Sequence, residues 1–165
     1  MSTLNVRQQK LVKQMTSPFT FIPFSLAKIP MLAIAGVRIK EMNKERSVVS
    51  APFKHINKNP FKSMYFAVQA MAAELSTAGA AMLALEAFED SFAYIVVGVK
   101  AEFVKKADQK VFFECVNYSD FQNALEKATA TNEPVEVPSV TEGKMADGTV
   151  VSTFEVTWSF KKRER

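Results

Sequence analysis

Asn59-Pro-Phe-Lys-Ser-Met-Tyr-Phe-Ala-Val-Gln-Ala-Met-Ala-Ala-Glu-Leu-Ser-Thr-Ala-Gly79 is a run dominated by Ala, Met and Phe with a single carboxylate, Glu74, near its end. Ala, Met, Leu and Glu are good helix formers, and the pattern predicts one long helix over residues 63–85. Its apolar positions surround most of the helix instead of forming one stripe, so it must be covered on several sides. Gly79 costs a helix interior about 1 kcal/mol. It therefore points to the close approach of another backbone. An unpartnered carboxylate in such surroundings costs several kcal/mol or takes up a proton, so Glu74 requires a partner or a task.

Outward from this helix the chain reads as strand. On the N-terminal side, residues 31–42 and 46–54, the latter centred on Val48-Val49, are expected to be strands. On the C-terminal side, Phe92 to Val104 and Lys110 to Tyr118 are rich in β-branched and aromatic residues. Asp120 to Thr129 is expected to be a short helix with Ser119 as N-cap and Gln122 three residues on. Pro134–Glu142 and Val150–Lys161 are two further strands joined across Asp147-Gly148, with Phe154, Val156, Trp158 and Phe160 alternating on one face. The N-terminal residues form a short amphipathic helix that ends before Pro18. The Phe/Pro-rich Ser17–Phe24 is a loop or short helix that clamps an apolar surface. Antiparallel strand runs around one deeply buried helix define an α+β layer architecture with the sheet curled about residues 63–85.

The 165 residues fit a single domain, divided into an N-terminal extension, 1–30, and a main body, 31–165. Three of the four units of net positive charge come from Lys161–Arg165, read as a solvated end rather than a nucleic-acid contact. A single Cys forbids an intrachain disulfide and suits a reducing cytoplasm. Pro18–Val37 is interrupted by three prolines and Lys28. Met64–Leu85 carries Gln69, Glu74, Ser76 and Thr77 at its centre, so neither segment is expected to be integral to a membrane.

Several chemistries lack their residues. His55 and Cys115 stand alone without metal-ligand spacing, so no metal and no cofactor are expected. There is no Gly-x-Ser-x-Gly elbow and no glycine-rich phosphate loop. Cys115 sits among apolar neighbours as an inert thiol. Glu74 remains. A partly desolvated carboxylate serves as general base or nucleophile, and the free amides at the helix start near Ser63 can polarise a carbonyl. Asn57, Asn59, Gln69, Ser76 and Thr77 are neutral donors nearby. Residues two to three turns apart on one helix lie about 10–15 Å apart along its axis, so Glu74 and its own helix start cannot share a small reacting group. A second protomer would have to contribute one of them. The residues leave equally open that Glu74 only bonds a neighbouring backbone or holds a dimer together.

The whole pattern resembles the hotdog-fold acyl-CoA thioesterases, and within them a bacterial branch described as a domain of unknown function. Three stretches of the sequence carry the resemblance. Asn59, Tyr65-Phe66-Ala67 and Glu74 stand at the spacing of that superfamily's Asn, His-Gly-Gly and acidic residue. Ala101-Glu-Phe-Val-Lys-Lys-Ala107 and Thr153–Phe160 match two of its strands, and the likeness spans residues 35–161. It implies Glu74, Asn59 and Tyr65 as catalytic residues, with Tyr65 in place of the His. It further implies Phe66, Ala67, Gln69 and Thr77 as oxyanion and substrate-binding positions, and an acyl-CoA or other acyl thioester as substrate. The assembly implied is a homodimer or a tetramer. The alternative is a non-catalytic acyl or lipid-binding protein on the same fold.

Overall fold

The computed structural model describes residues 3–164. Three helices come first: α1 (Val6–Thr16), α2 (Pro18–Lys28) and α3 (Pro30–Ala35). Strands β1 (Arg38–Met42) and β2 (Ser47–Ala51) follow, then a short 3-10 turn and the long helix α4 (Phe66–Leu85). The rest is β3 (Phe92–Phe103), β4 (Val111–Cys115), α5 (Tyr118–Thr131), β5 (Val135–Met145) and β6 (Val150–Lys162). The six strands form one antiparallel sheet in the order β1-β2-β4-β5-β6-β3. The architecture is the α+β arrangement expected, with the sheet packed on α4.

Three expected boundaries move. Residues 31–42 are not one strand: Pro30 opens α3, where a missing amide hydrogen costs nothing, and Gly36 closes it at φ 74°, so the strand begins only at Arg38. The long helix begins at Phe66 rather than Ser63, because residues 59–63 form a tight turn and Tyr65, at φ −61° and ψ 136°, is the N-cap. The shorter helix begins at Tyr118 with Asn117 as N-cap, which puts Ser119 inside its first turn. Ser17-Phe24 is helical despite its prolines; Pro18 takes the first position of α2 and Pro23 lies within it.

Small residues let α4 sit close against the sheet. Ala72, Ala73, Ala80, Ala81 and Ala84 are all buried, and a Cβ added at Gly79 would stand 2.3 Å from Ser47 Oγ on β2. The close approach expected at Gly79 is thus made by the Ser47 side chain. On β5, Gly143 gives the same clearance to the Phe113 ring, 2.7 Å from a Cβ placed there. Pro138 is tolerated within β5 because β4 pairs only with Thr141–Met145, so no strand neighbour on that side needs its missing amide hydrogen.

The far end of α4 is closed by α1. The last carbonyls of a helix have no internal partner. Here Gln8 Nε2 donates to Leu83 O at 2.9 Å and to Tyr118 Oη at 3.0 Å, and Asn5 Nδ2 donates to Glu86 O at 2.9 Å. Arg7 donates to the carbonyls of Glu86 and Phe88 and pairs with the Glu86 carboxylate at 3.2 Å. Met15 of α1, Phe21 of α2 and Leu32 of α3 belong to the same buried core as α4 and the sheet.

Candidate active site

Three polar contacts fix the rotation of α4 about its axis. Ser152 Oγ donates to Gln69 Oε1 at 2.8 Å, Ser76 Oγ lies 2.9 Å from Thr141 Oγ1, and Trp158 Nε1 donates to Thr77 Oγ1 at 2.9 Å. All three helix residues are buried and face β5 and β6. At about 100° per residue, Glu74 then lies well round the helix from Gln69 and Ser76. It shares a stripe with Ala67, Met71, Ala78, Met82 and Leu85, all but Ala78 only half-buried. The stripe runs into a groove of about 380 Å³ bordered by Arg7, Leu11, Met82, Leu85, Phe88 and Tyr94.

Glu74 is half-buried, and its carboxylate has neither a hydrogen bond nor an ion pair within the described residues. Burial alone pushes its pKa above the ordinary glutamate value. A helix that could have carried Ala or Leu there holds a charge that its surroundings disfavour. Cys115 contrasts with it: buried in β4, its thiol is pushed up to about 11 chiefly by burial, which leaves it protonated and inert at neutral pH.

The loop before α4 is built around two asparagines. Asn57 is buried, and its Nδ2 donates to Ala35 O at 2.8 Å and Pro52 O at 2.7 Å, while its carbonyl accepts Tyr65 N at 2.8 Å. Asn59 Oδ1 accepts the amides of Phe61 and Ser63, both at 3.0 Å, around Lys62 at φ 57°. This leaves Asn59 Nδ2 with no acceptor among the described residues. Met64 N donates to Ala107 O at 2.7 Å and ties the loop to the segment after β3. The loop delivers the chain to Tyr65, beyond which the amides of Phe66 and Ala67 have no acceptor among the described residues, as expected for the first turn of a helix. Phe66 lies edge-on to Tyr65, with ring centroids 4.9 Å apart, and to Phe103 on β3, 6.5 Å apart.

The structure thus brings together Asn59, Tyr65, Phe66 and Ala67 at the start of α4. Glu74 stands two turns further on. Gln69 and Thr77 lie on the sheet side of the helix, where their polar atoms already have partners. Asn57 carries the loop, and no motif in the sequence distinguishes it from Asn59.

Strand β3 closes one edge of the sheet. It is 12 residues long, pairs only with β6, and exposes Tyr94, Ile95, Val97, Val99 and Phe103. Long apolar edges of this kind are rare on monomers, because they recruit another strand.

A six-stranded antiparallel sheet packed on one long helix is the thioesterase-like hotdog fold. The chain belongs to the family described as a domain of unknown function, DUF4442, whose model matches residues 20–160. That match begins within α2 and includes α3. Comparison with curated proteins gives no match. Among solved structures the chain is similar to a Pseudomonas aeruginosa protein of unknown function described as a probable thioesterase, at 19% identity and a TM-score of 0.74, over 91% of this chain and 99% of that one. It is also similar to a thioesterase from Haemophilus influenzae, at 12% identity and a TM-score of 0.63 over 92% and 95% of the two chains. A Chlorobaculum tepidum protein of unknown function is alike at 11% identity and a TM-score of 0.75, over 94% of both chains. At these identities the likeness is one of fold.

Proposed function

We propose that this protein hydrolyses an acyl-CoA or related acyl thioester as a homodimer, with Glu74 of one protomer acting on a thioester held at the start of α4 of its partner. The observation that carries this reading is the Glu74 carboxylate, unpaired among the described residues and its proton affinity raised by burial, on a half-buried face of α4. Glu74 lies eight residues beyond Phe66, about 12 Å along the axis, too far to reach a carbonyl held by its own helix start. Pairing of two β3 edges about a twofold axis would extend the sheet across the dimer and set the α4 helices antiparallel, each Glu74 toward the partner's free amides.

In this arrangement the amides of Phe66 and Ala67 hold the thioester carbonyl and the oxyanion that develops from it. Asn59 Nδ2 and the Tyr65 hydroxyl position water or the carbonyl. Glu74 takes a proton from water as it attacks, and the CoA thiolate leaves. The half-buried stripe from Glu74 to Leu85 is about 16 Å long and ends in the groove beside Arg7, a path that suits a medium or long acyl chain. The site requires no cofactor or metal. A single buried Cys is in keeping with a cytoplasmic enzyme.

A panel of acyl-CoA thioesters with detection of free thiol tests this reading, with turnover of at least one medium or long chain expected. The second reading, an acyl-binding protein without turnover, is favoured by one feature. Phe66 and Ala67 place side chains where the catalytic pattern has glycines, and the Phe66 ring lies edge-on to Phe103 at the mouth of the proposed site. A retained fatty acyl ligand in native mass spectra, with no thiol release across the panel, would decide for it.

A further inference from the structure

Basic side chains stand without acidic neighbours in sequence over one long N-terminal stretch. Residues 1–40 contain six Lys or Arg and no Asp or Glu, whereas the other 125 residues contain 15 basic and 17 acidic side chains. The helices of that acid-free segment also carry its most exposed apolar groups. On α2, Phe19, Pro23 and Leu26 recur at i, i+4 and i+7 on one outward face, with Phe19 89% and Leu26 57% exposed. On α3, Met31 is 59% exposed and Ile34 47%. Lys10, Lys13 and Lys28 are exposed on the same helical segment.

We infer that α2 and α3 dock this protein onto the surface of an anionic lipid bilayer. The helices lie in the interface without crossing it. Phe19 and Leu26 enter the headgroup and acyl boundary, while the lysines face the lipid phosphates. An apolar helix face combined with basic residues is what such surfaces bind, and neither signal alone holds a protein firmly. Helices α2 and α3 themselves carry no carboxylate to be repelled by an anionic membrane. A second copy of this chain would instead bring like charge toward Lys10, Lys13 and Lys28. The docked helices are also bolted to the site: Lys54 Nζ donates to Ile34 O at 2.7 Å, and Asn57 joins Ala35 O to the loop that ends in Tyr65. Docking would therefore place the start of α4 close to the bilayer, where long acyl chains partition.

The test is flotation of the full chain with vesicles of phosphatidylcholine alone, or with about one third phosphatidylglycerol. Binding to the anionic vesicles only, weakening steeply as salt rises, is expected. Phe19→Ser with Leu26→Ser, and separately Lys10→Gln with Lys13→Gln and Lys28→Gln, should each lower the partition coefficient at least about tenfold. These side chains are exposed, so unfolding temperatures should stay unchanged. No flotation of the unmodified protein with anionic vesicles would overturn the inference, as would equal binding by both substituted proteins. So would a smaller sedimenting species for the Phe19→Ser, Leu26→Ser protein, because a second copy would then be the occupant. None of these readouts depends on thioester turnover.

Discussion

Burial disfavours the charged form of the Glu74 carboxylate, so its ionisation weakens the fold. Its folded-state pKa is raised above the unfolded one. The penalty is therefore absent below the ordinary glutamate pKa of about 4.3, appears as pH rises through the raised value, and is fully present above it. Glu74→Gln is expected to unfold at a higher temperature than the natural protein at pH 7 to 8 and at the same temperature near about pH 4. Calorimetry across that range checks it; a lower unfolding temperature at neutral pH would mean that Glu74 has a stabilising partner. Phe66 allows an equally local test. Tyr65 already has the extended backbone that precedes a proline, and the Phe66 amide has no acceptor among the described residues, so Phe66→Pro removes the proposed oxyanion donor while keeping the helix start. Thiol release should fall about 100-fold or more in Phe66→Pro, and far less in Phe66→Ala, which keeps the amide.

The helix α4 depends on contacts at both its middle and its end. Gly79→Ala adds a methyl group into Ser47 Oγ and should destabilise by about 1–3 kcal/mol, despite the better helix propensity of alanine. Ser47 Oγ is itself buried without a hydrogen-bond partner, so Ser47→Ala should be neutral or stabilising and should relieve most of the Gly79→Ala cost. Chemical denaturation of the two single variants and the double variant measures that coupling. At the helix end, Gln8→Ala leaves Leu83 O and Tyr118 Oη without their donor and should cost about 1–3 kcal/mol. For a chain of this size each kcal/mol lowers the unfolding temperature by about 2–4 °C.

These same elements mark what the sequence makes legible. The helix around Glu74 and the strands ending in Phe154–Phe160 can be read from composition and alternation, because burial on several faces and on one face leave different apolar periods. The spacing from Asn59 to Glu74 marks the proposed site. Three things are not legible. Met31-Leu-Ala-Ile-Ala35 reads as strand because a short apolar run lacks a distinguishing period, and only Gly36 at positive φ ends it as a helix. The start of α4 is masked by a turn whose geometry depends on Asn59 accepting two amides. Gln69 and Thr77 appear as free donors in the sequence because their partners, Ser152 and Trp158, lie more than 80 residues away.

At the scale of the whole molecule, the proposed dimer would extend the sheet at β3 and complete the site beside α4. Ile95→Lys with Val99→Lys on the β3 edge should convert a dimer into a monomer in sedimentation and abolish thiol release with it. Both halves of the proposed site survive in that monomer, separated by about 12 Å of one helix. The most direct measurement is complementation between two inactive proteins, Glu74→Gln and Phe66→Pro, mixed in equal amounts and allowed to exchange subunits. If the site is shared, each hybrid dimer has one intact site, and thiol release should return to about a quarter of the natural rate. If both groups act within one protomer, or if neither is part of a reacting site, the mixture will be no more active than its parents.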